Sequence, residues 1–392
     1  MKFKAELGLR SREMKILHLI NTLSAGGAEL HLLALCRRLK RPEIELVVVC
    51  LREKVDGSRS LRADFEEEEI RIISLEANSR YDWRFFNRFA HLLKEERPDI
   101  LHTHLPRADL AGAFGNFMYP PVAWVSSVHG IYSESWSGHW TLPLANFVWR
   151  DADSVIAISQ TVKDWLLKQQ RIPPNKVTVI YYGIDPKRLS EPDADLRKRW
   201  GLESRAVIGS VGRIEHGKGY DCLIQAMPII LERIPNACLL IAGHDPSGYG
   251  KNLERLIQTL GLKEYVRLVG FQDDVPSFLY ALDVFAFASR SEGFGQVVIE
   301  AMAAGKAVVV GRIPPLTEII IDGETGLSVK PEDSKGFADA ITLLLDQPER
   351  AKEMGKAGRE RVQKYFSIER ETSETLELYR TLIEPCVASA AG

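Results

Sequence analysis

The sequence predicts an α/β fold of two doubly wound parallel-sheet domains that face each other across a cleft. Short apolar runs recur along its 392 residues and alternate with segments of helical periodicity. Each half of the chain also opens with an apolar run that leads into a glycine-containing turn, at residues 21–29 and 209–219. Repeated strand–turn–helix units of this kind are typical of parallel sheets with helices on both faces.

Eleven apolar runs are predicted as strands, which is more than one small sheet normally holds. Strands that helices cover on both faces are almost continuously apolar, and these runs have that character. The helical period is clearest at residues 27–40, 83–96, 251–260 and 336–346. The predicted strands are residues 16–20, 44–50, 98–105, 123–128, 154–158, 177–181, 207–211, 238–242, 266–270, 284–288 and 307–311.

A polar segment separates the sixth strand from the seventh and predicts the domain boundary. Residues 184–204 are rich in charge and contain two prolines, which is typical of a linker. We therefore expect an N-terminal domain at 1–185 and a C-terminal domain at 186–365. The helical pattern of 366–385 predicts a tail helix that completes the N-terminal domain.

Composition limits the classes of function. Hydrophobic residues make up 45% of the chain and charged residues 27%, with a net charge of -2, so nucleic acid is not an expected partner. Residues 1–62 carry 13 Lys or Arg against 7 Asp or Glu, which leaves open a weak contact with an anionic membrane. No signal peptide or membrane-spanning run is predicted, and we expect a cytoplasmic protein.

A basic glycine loop follows the first strand of the second half. Gly212 and Arg213 are followed, after four intervening residues, by Lys218 and Gly219, directly before a helical pattern. Glycines allow the backbone to approach a phosphate closely, while arginine and lysine supply positive charge, so the loop is suited to a pyrophosphate. For this segment alone, a solvated Arg and Lys on a strand-to-helix turn is the simpler interpretation.

Two glutamates lie further along the same half. Glu292 falls in a glycine-bounded loop after a predicted strand, and Glu300 falls eight residues later in an apolar helical segment. Each has a structural alternative, a helix cap for Glu292 and a first-turn acid for Glu300. A carboxylate in apolar surroundings needs a partner, which favours binding of a polyhydroxylated ligand whose phosphates lie at the helix N-terminus.

The N-terminal half offers a glycine turn and three histidines. Gly26 and Gly27 belong to the turn after the first strand, and they are also consistent with a simple helix start. His129 ends a predicted strand and is a candidate for the reaction centre. His102 and His104 end the preceding strand and are interpreted as wall or packing residues, because no third ligand lies nearby in sequence. No acidic pair stands in a position suited to a metal, so no metal is expected.

The order and spacing of these motifs resemble the retaining glycosyltransferases of family 4 over nearly the whole chain. The resemblance rests on G-R-x4-K-G and on E-G-F-G-x4-E about 75 residues later. It implies the GT-B fold of two Rossmann-like domains, an acceptor-side N-terminal domain and a C-terminal domain for the nucleotide sugar. It also implies metal-independent transfer, without a cofactor, from a donor such as a UDP- or GDP-sugar to a glycan or lipid-linked saccharide of envelope polysaccharide biosynthesis.

The same resemblance implies a role for each candidate residue. Arg213 and Lys218 would hold the donor pyrophosphate, Glu292 the sugar hydroxyls, and Glu300 the ribose. His129 would contact the transferred sugar. The further donor-binding residues it implies are Gly26, Gly27, Gly212, Gly219, Gly270, Phe271, Phe294 and Gly295.

The chain departs from the family's pattern at one place, and two alternative classes of protein remain to be weighed. Pro314 and Pro315 stand where the family usually has two glycines, and prolines have no N–H to offer a ligand. A sugar-nucleotide epimerase with the same fold is the main alternative. A dinucleotide-binding oxidoreductase is disfavoured, since the first turn lacks G-x-G-x-x-G. Aromatic residues at 83–89 and 136–149 are consistent with helix packing or with a face that docks on a membrane.

Overall fold

A computed structural model describes residues 13–53, 59–77, 82–119, 122–132, 147–185, 193 and 195–383. The chain divides into two compact units, one formed by Met1–Tyr181 with Ile368–Gly392 and the other by Tyr182–Ser367. We call these unit 1 and unit 2. Residues 186–192 and 194 of the predicted linker and the tryptophans Trp136 and Trp140 lie outside the described residues.

Unit 1 contains a parallel sheet of seven strands in the order β3-β2-β1-β4-β5-β6-β7. Its strands are β1 (Met14–Ile20), β2 (Ile44–Cys50), β3 (Arg71–Ser74), β4 (Ile100–His104), β5 (Ala123–Val128), β6 (Ser154–Ala157) and β7 (Val177–Val179). Its helices are α1 (Gly27–Leu39), α2 (Arg62–Glu67), α3 (Arg84–Glu96), α4 (Pro106–Met118) and α5 (Gln160–Lys168), with a tail helix described below.

Unit 2 contains a parallel sheet of six strands in the order β10-β9-β8-β11-β12-β13. Its strands are β8 (Ala206–Val211), β9 (Ala237–Ala242), β10 (Val266–Gly270), β11 (Val284–Phe287), β12 (Ala307–Gly311) and β13 (Leu327–Val329). Its helices are α6 (Leu196–Arg199), α7 (Tyr220–Arg233), α8 (Gly250–Thr259), α9 (Val275–Tyr280), α10 (Gln296–Ala303), α11 (Pro314–Ile319), α12 (Ser334–Asp346) and α13 (Pro348–Tyr365).

All eleven predicted strands are present, and the two-sheet α/β fold is confirmed. Most of their side chains are buried, as in β9, where all six residues are buried, whereas β7 and β10 are partly exposed. In each sheet the chain order reverses beside the first strand, between β1 and β4 in unit 1 and between β8 and β11 in unit 2. Loops at the carboxyl ends of two such strands diverge and leave room for a ligand.

The tail helix α14 (Ile368–Ile383) packs against α1 within unit 1. Leu376 and Tyr379 are buried in the same core as Leu32 and Cys36 of α1. Arg38 and Glu369 form an ion pair of 3.1 Å at the edge of this contact. Unit 1 is therefore assembled from two distant stretches of chain.

None of the helices among the described residues combines the length and the apolar character needed to cross a membrane.

Candidate functional site

In unit 2 the loops that follow β8 and β11 meet at the carboxyl edge of the sheet. The two strands are direct neighbours, with Val284 opposite Ile208 and Phe285 opposite Gly209. The Arg290 N–H donates to the Gly217 carbonyl at 2.8 Å, which ties the second loop to the first. This is the ligand-binding position of a doubly wound sheet.

Lys218 and Glu292 are joined across these loops. The Lys218 Nζ donates to Glu292 Oε1 at 2.6 Å, and the two side chains are only 14% and 11% exposed. The Lys218 ammonium also lies 5.5 Å from the ring centroid of Phe287, close enough for a cation–π contact. A cation and a carboxylate are thus held side by side where phosphate and sugar hydroxyls would need them. Glu292 is not the N-cap of α10, since that position is Gly295 and it has no side-chain cap hydrogen bond.

Two glycines shape this pair of loops. Gly219 has φ +67°, and a Cβ there would run into the carbonyl of Ala288. Gly295 has φ +111°, and a Cβ there would clash with Leu316. An L-residue is strained at positive φ, so each turn requires glycine both for its conformation and for space. The sequence had marked both positions as candidates for close backbone approach.

Arg213 behaves differently from Lys218. Its side chain is 60% exposed and pairs only loosely with Glu215, at 3.2 Å. The same loops contain a partly buried ion pair that the sequence analysis missed. Arg290 makes two hydrogen bonds to Asp221, of 3.0 and 2.9 Å, and these hydrogen bonds raise the pKa of the guanidinium. Arg290 is thereby fixed as a structural cation, while Arg213 extends into solvent.

Glu300 lies in the second turn of α10 and is half-buried between fully buried neighbours, Ile299 and Ala301. No acidic residue occupies the first turn of this helix, so the alternative interpretation of Glu300 as a first-turn acid is wrong. The Gln296 side-chain amide approaches Glu300 Oε1 at 3.5 Å. Glu300 and the N-terminus of α10, where Phe294 is buried, therefore adjoin the same loop as Glu292.

The two prolines begin α11 and leave its N-terminus without N–H donors for a ligand. Pro314 and Pro315 carry no N–H, and the N–H groups of Leu316 and Thr317 both bond the Ile313 carbonyl, at 3.0 and 3.1 Å. Proline fits the first turn of a helix well, because its φ is already helical. The departure seen in the sequence thus yields an ordinary helix start that offers nothing to an anion.

The edge near β9 and β10 carries an exposed aromatic residue. Gly270 ends β10, and the next residue, Phe271, is 51% exposed. Beside the basic loop, Tyr220 is fully buried, its hydroxyl has no hydrogen-bond partner among the described residues, and Gly212 packs against it. Burial raises the pKa of Tyr220, so its hydroxyl stays protonated.

In unit 1 the glycine turn after β1 starts helix α1. Gly26 is the N-cap of α1 and Gly27 is its first residue. Glu29 lies in the first turn, where its carboxylate accepts a hydrogen bond of 3.1 Å from Thr22 Oγ1. Burial raises the pKa of Glu29 to about 7. The structural interpretation of these glycines as a helix start is correct.

His129 belongs to a cluster of five histidines, out of nine in the chain, on one face of the unit 1 sheet. It follows β5, and its Nε2 lies 3.1 Å from His104 Nδ1. The His104 Nε2 lies in turn 3.0 Å from His18 Nδ1. His102 completes the group on the sheet, and His31 approaches from α1. Burial lowers the pKa of His18 to about 3 and those of His102, His104 and His129 well below the usual value.

The tail helix α14 supplies two polar partners to this cluster. Glu371 forms an ion pair with His31, and the Tyr379 hydroxyl lies 2.5 Å from His102 Nδ1. The His102 Nε2 lies 2.7 Å from Ser127 Oγ. Sequence reasoning could not find these contacts, because the partners come together only in the folded unit. His31 and Glu371 are separated by 340 positions in the chain, and His102 and Tyr379 by 277.

A metal could in principle use His18, His102 and His104, whose ring nitrogens lie within 4.8 Å of one another. However, both ring nitrogens of His102 and both of His104 already have hydrogen-bond partners. Only the Nε2 of His18 is without one among the described residues. Hydrogen bonding therefore accounts for this arrangement better than metal coordination.

Two protein families match the chain. Residues 25–188 match the family described as Glycosyltransferase Family 4, and residues 193–361 match the family described as Glycosyl transferases group 1. Together they cover both units.

Individual proteins agree with these matches. The chain is 31% identical to the lipopolysaccharide core biosynthesis mannosyltransferase LpsB of Rhizobium meliloti, over 61% of this chain and 68% of the relative. It is 34% identical to a GDP-mannose-dependent alpha-(1-6)-phosphatidylinositol monomannoside mannosyltransferase of Mycolicibacterium smegmatis, over 60% of this chain and 64% of the relative. The crystal structure of Anabaena HepE with UDP and glucose shares the fold, with a TM-score of 0.83 and 24% identity. The match covers 94% of this chain and 100% of the HepE chain.

Proposed function

Since this chain belongs to glycosyltransferase family 4, the retaining enzymes with a GT-B fold, we propose that it moves a hexose from a nucleotide sugar to a hydroxyl of a glycan or lipid-linked saccharide in envelope polysaccharide biosynthesis. The observation that carries the proposal is the 2.6 Å contact between Lys218 and Glu292. It supports the proposal because a cation and a carboxylate lie together at the switch point of unit 2, the position where a doubly wound sheet binds its ligand.

Each residue near that contact has a defined task. Lys218 and the exposed Arg213 neutralise the pyrophosphate and the charge that develops on the leaving nucleoside diphosphate. Glu292 and the backbone at Phe294 and Gly295 bind hydroxyls of the transferred sugar, while Glu300 binds the ribose. These cations and the positive end of α10 supply the charge that a metal would otherwise provide, so we propose transfer without a metal or other cofactor.

The remaining candidate positions complete the donor site. Gly212 and Gly219 let the backbone of the basic loop approach the phosphates, and Gly270 with Phe271 borders the base. The exposed ring of Phe271 is suited to pack on a nucleobase. In unit 1, Gly26 and Gly27 adjoin phosphate and acceptor.

The chemistry is a substitution with retention at the anomeric carbon. The acceptor oxygen attacks the anomeric carbon on the face that the leaving group departs from, and the bond from that carbon to the phosphate oxygen breaks. The acceptor proton passes to a phosphate oxygen of the leaving nucleoside diphosphate. His129 contacts the transferred sugar through its ring, which remains neutral because burial lowers its pKa. Glu292 and Glu300 act by binding rather than as an acid/base pair.

The donor test is a binding panel of nucleoside diphosphates followed by product analysis. We propose GDP-mannose as the first donor to examine, because the two relatives described above are mannosyltransferases and one is GDP-mannose-dependent. UDP-glucose is the second candidate, since a neighbour of the same fold binds UDP and glucose. Binding of NADH with none of any nucleoside diphosphate would refute the proposed reaction.

The residue test separates the two glutamates. Glu292→Ala should lower kcat strongly while nucleotide affinity changes little, whereas Glu300→Ala should weaken nucleotide affinity. Glu254→Ala is a matched control, because Glu254 is exposed on α8 in the same unit. Equal and negligible effects at both site positions would contradict their roles.

We also propose that unit 1 touches an anionic membrane surface through the start of α3, at the inner face of the cell membrane. Trp83 is 53% exposed, and the adjacent Arg84 side chain is 90% exposed. Phe85 and Phe89 of the same helix are buried, so this proposal rests on the exposed residues alone. Trp83→Ala with Arg84→Glu should abolish co-sedimentation with anionic vesicles at low salt, and Lys335→Glu in unit 2 should not. No sedimentation of the unaltered chain would refute the contact.

A further inference from the structure

Three histidines of unit 1 form a continuous chain of ring-to-ring contacts that ends at His129. The Nδ1 of His18 lies 3.0 Å from the Nε2 of His104, and the Nδ1 of His104 lies 3.1 Å from the Nε2 of His129. His18 and His104 lie on β1 and β4, the two strands that flank the switch point of this sheet. We call this set the histidine chain.

Each ring of the histidine chain is neutral and therefore carries one proton. Burial and the neighbouring rings lower the pKa of His18 to about 3 and those of His104 and His129 well below the usual value. A neutral imidazole has one N–H donor and one acceptor nitrogen. In a row of such rings, the proton position on the first ring sets the direction of every hydrogen bond that follows.

The buried end of the row fixes that direction. The Nε2 of His18 has no hydrogen-bond partner among the described residues, and the residue is fully buried. A buried N–H without a partner is rarer in proteins than an acceptor without one. The proton of His18 therefore sits on Nδ1 and is donated to His104 Nε2, and His104 in turn donates from Nδ1 to His129 Nε2.

We propose that His18 and His104 are positioning residues that hold His129 as the Nδ1–H tautomer, with its Nε2 as a hydrogen-bond acceptor and its Nδ1 as a donor. This inference rests on the proposed contact of His129 with the transferred sugar. It assigns the direction of the hydrogen bond in that contact, because a ring fixed in this tautomer donates its Nδ1–H to a sugar oxygen. The neighbouring His102 takes no part, because Tyr379 and Ser127 engage both of its ring nitrogens.

The charged groups around the chain do not reverse this polarity. His31 packs edge-on against His129 with ring centroids 6.0 Å apart, and its Nε2 contacts the Glu371 carboxylate. The His129 backbone N–H donates to Tyr132 Oη at 3.2 Å, which fixes the main chain at this position.

The direct test is the tautomer of His129, read from two-bond nitrogen–proton correlations in the full chain labelled with nitrogen-15. We expect the Nδ1–H form in the unaltered protein. His18→Leu keeps the volume but removes the donor, so a second tautomer of His129 should appear and kcat should fall about tenfold with the donor KM unchanged. His18→Asn should restore both readouts, because its side-chain amide nitrogen can donate near the position of the lost Nδ1.

Controls separate positioning from packing. His102→Gln alters the same buried cluster outside the histidine chain and should leave the His129 tautomer unchanged. A wild-type Nε2–H tautomer, an unchanged tautomer in His18→Leu, or a changed one in His102→Gln would each overturn the inference. If instead His129→Ala transfers sugar at the wild-type rate, the proposed role of His129 fails, while the tautomer measurement still decides the positioning by His18 and His104.

Discussion

Removing Lys218 alone and removing Glu292 alone should together cost more stability than removing both side chains at once. The two side chains are 14% and 11% exposed and their charged atoms are 2.6 Å apart. Lys218→Met leaves a nearly buried carboxylate without its cation. Breaking a fully buried pair costs about 3–5 kcal/mol, and the residual exposure here reduces our expectation to about 2–3 kcal/mol.

The double-mutant cycle measures the coupling. Lys218→Met, Glu292→Gln and the double variant are compared by urea denaturation of the full chain, and we expect a coupling of about 1–3 kcal/mol. The matched control is Lys335 with Asp339, an exposed pair at 2.9 Å whose side chains are 77% and 62% exposed. Its coupling should stay below about 0.5 kcal/mol. Additive effects at Lys218 and Glu292 would refute the bridge as the organiser of the donor loops.

Three further outcomes are expected. Gly219→Ala should destabilise the protein by about 2–3 kcal/mol in urea denaturation, because Gly219 has positive φ and the new Cβ would clash with the Ala288 carbonyl. Gly217→Ala is the control, since Gly217 has open space around it, and it should cost less than about 1 kcal/mol. Equal costs for the two variants would contradict the predicted strain at Gly219. Burial raises the pKa of Glu29 to about 7 from 4.5, so its burial costs stability increasingly as pH rises from 4.5 through 7. Glu29→Gln should therefore stabilise at pH 8 by about 1–2 kcal/mol and not at pH 4.5, and a pH-independent difference would disprove this. Transfer should persist in excess EDTA, and activity that is lost and then restored by Mn²⁺ would contradict the metal-independent reaction.

The strands were predictable where burial makes the chain apolar on both faces. Two strands escaped prediction, β3 and β13, which are short edge strands with several partly exposed side chains. Helix α13 was not singled out either, since its sequence is strongly polar and few of its residues are buried. Edge elements carry too little hydrophobic signal to be distinguished from loops.

The candidate residues of unit 2 were predictable because each follows a strand in a parallel sheet. Gly219 and Glu292 are 73 residues apart in the chain, and parallel strands bring their loops to one edge. The ion-pair partners of the side chains at that edge were not predictable. Nothing in the sequence indicates that Arg290 binds Asp221, or that Lys218 rather than Arg213 pairs with Glu292.

The histidine chain shows more clearly which contacts could not be predicted from the sequence. His102 and His104 were interpreted as wall or packing residues, and His18 drew no attention, because 84 residues separate β1 from β4 in sequence. Only the strand order places His18 opposite His102. Strand order depends on the crossover connections, and a single sequence does not encode it as a local pattern.

The packing of α14 on α1 has a consequence for biosynthesis. Unit 2 is one continuous stretch of chain, so it can fold as soon as it leaves the ribosome. Unit 1 starts earlier, but its core lacks Leu376 and Tyr379 until the tail has been made. During that interval the apolar face of α1 is uncovered. The unit that is translated first is therefore the unit that finishes folding last, and that interval is when the nascent chain is most exposed to aggregation and most dependent on chaperones.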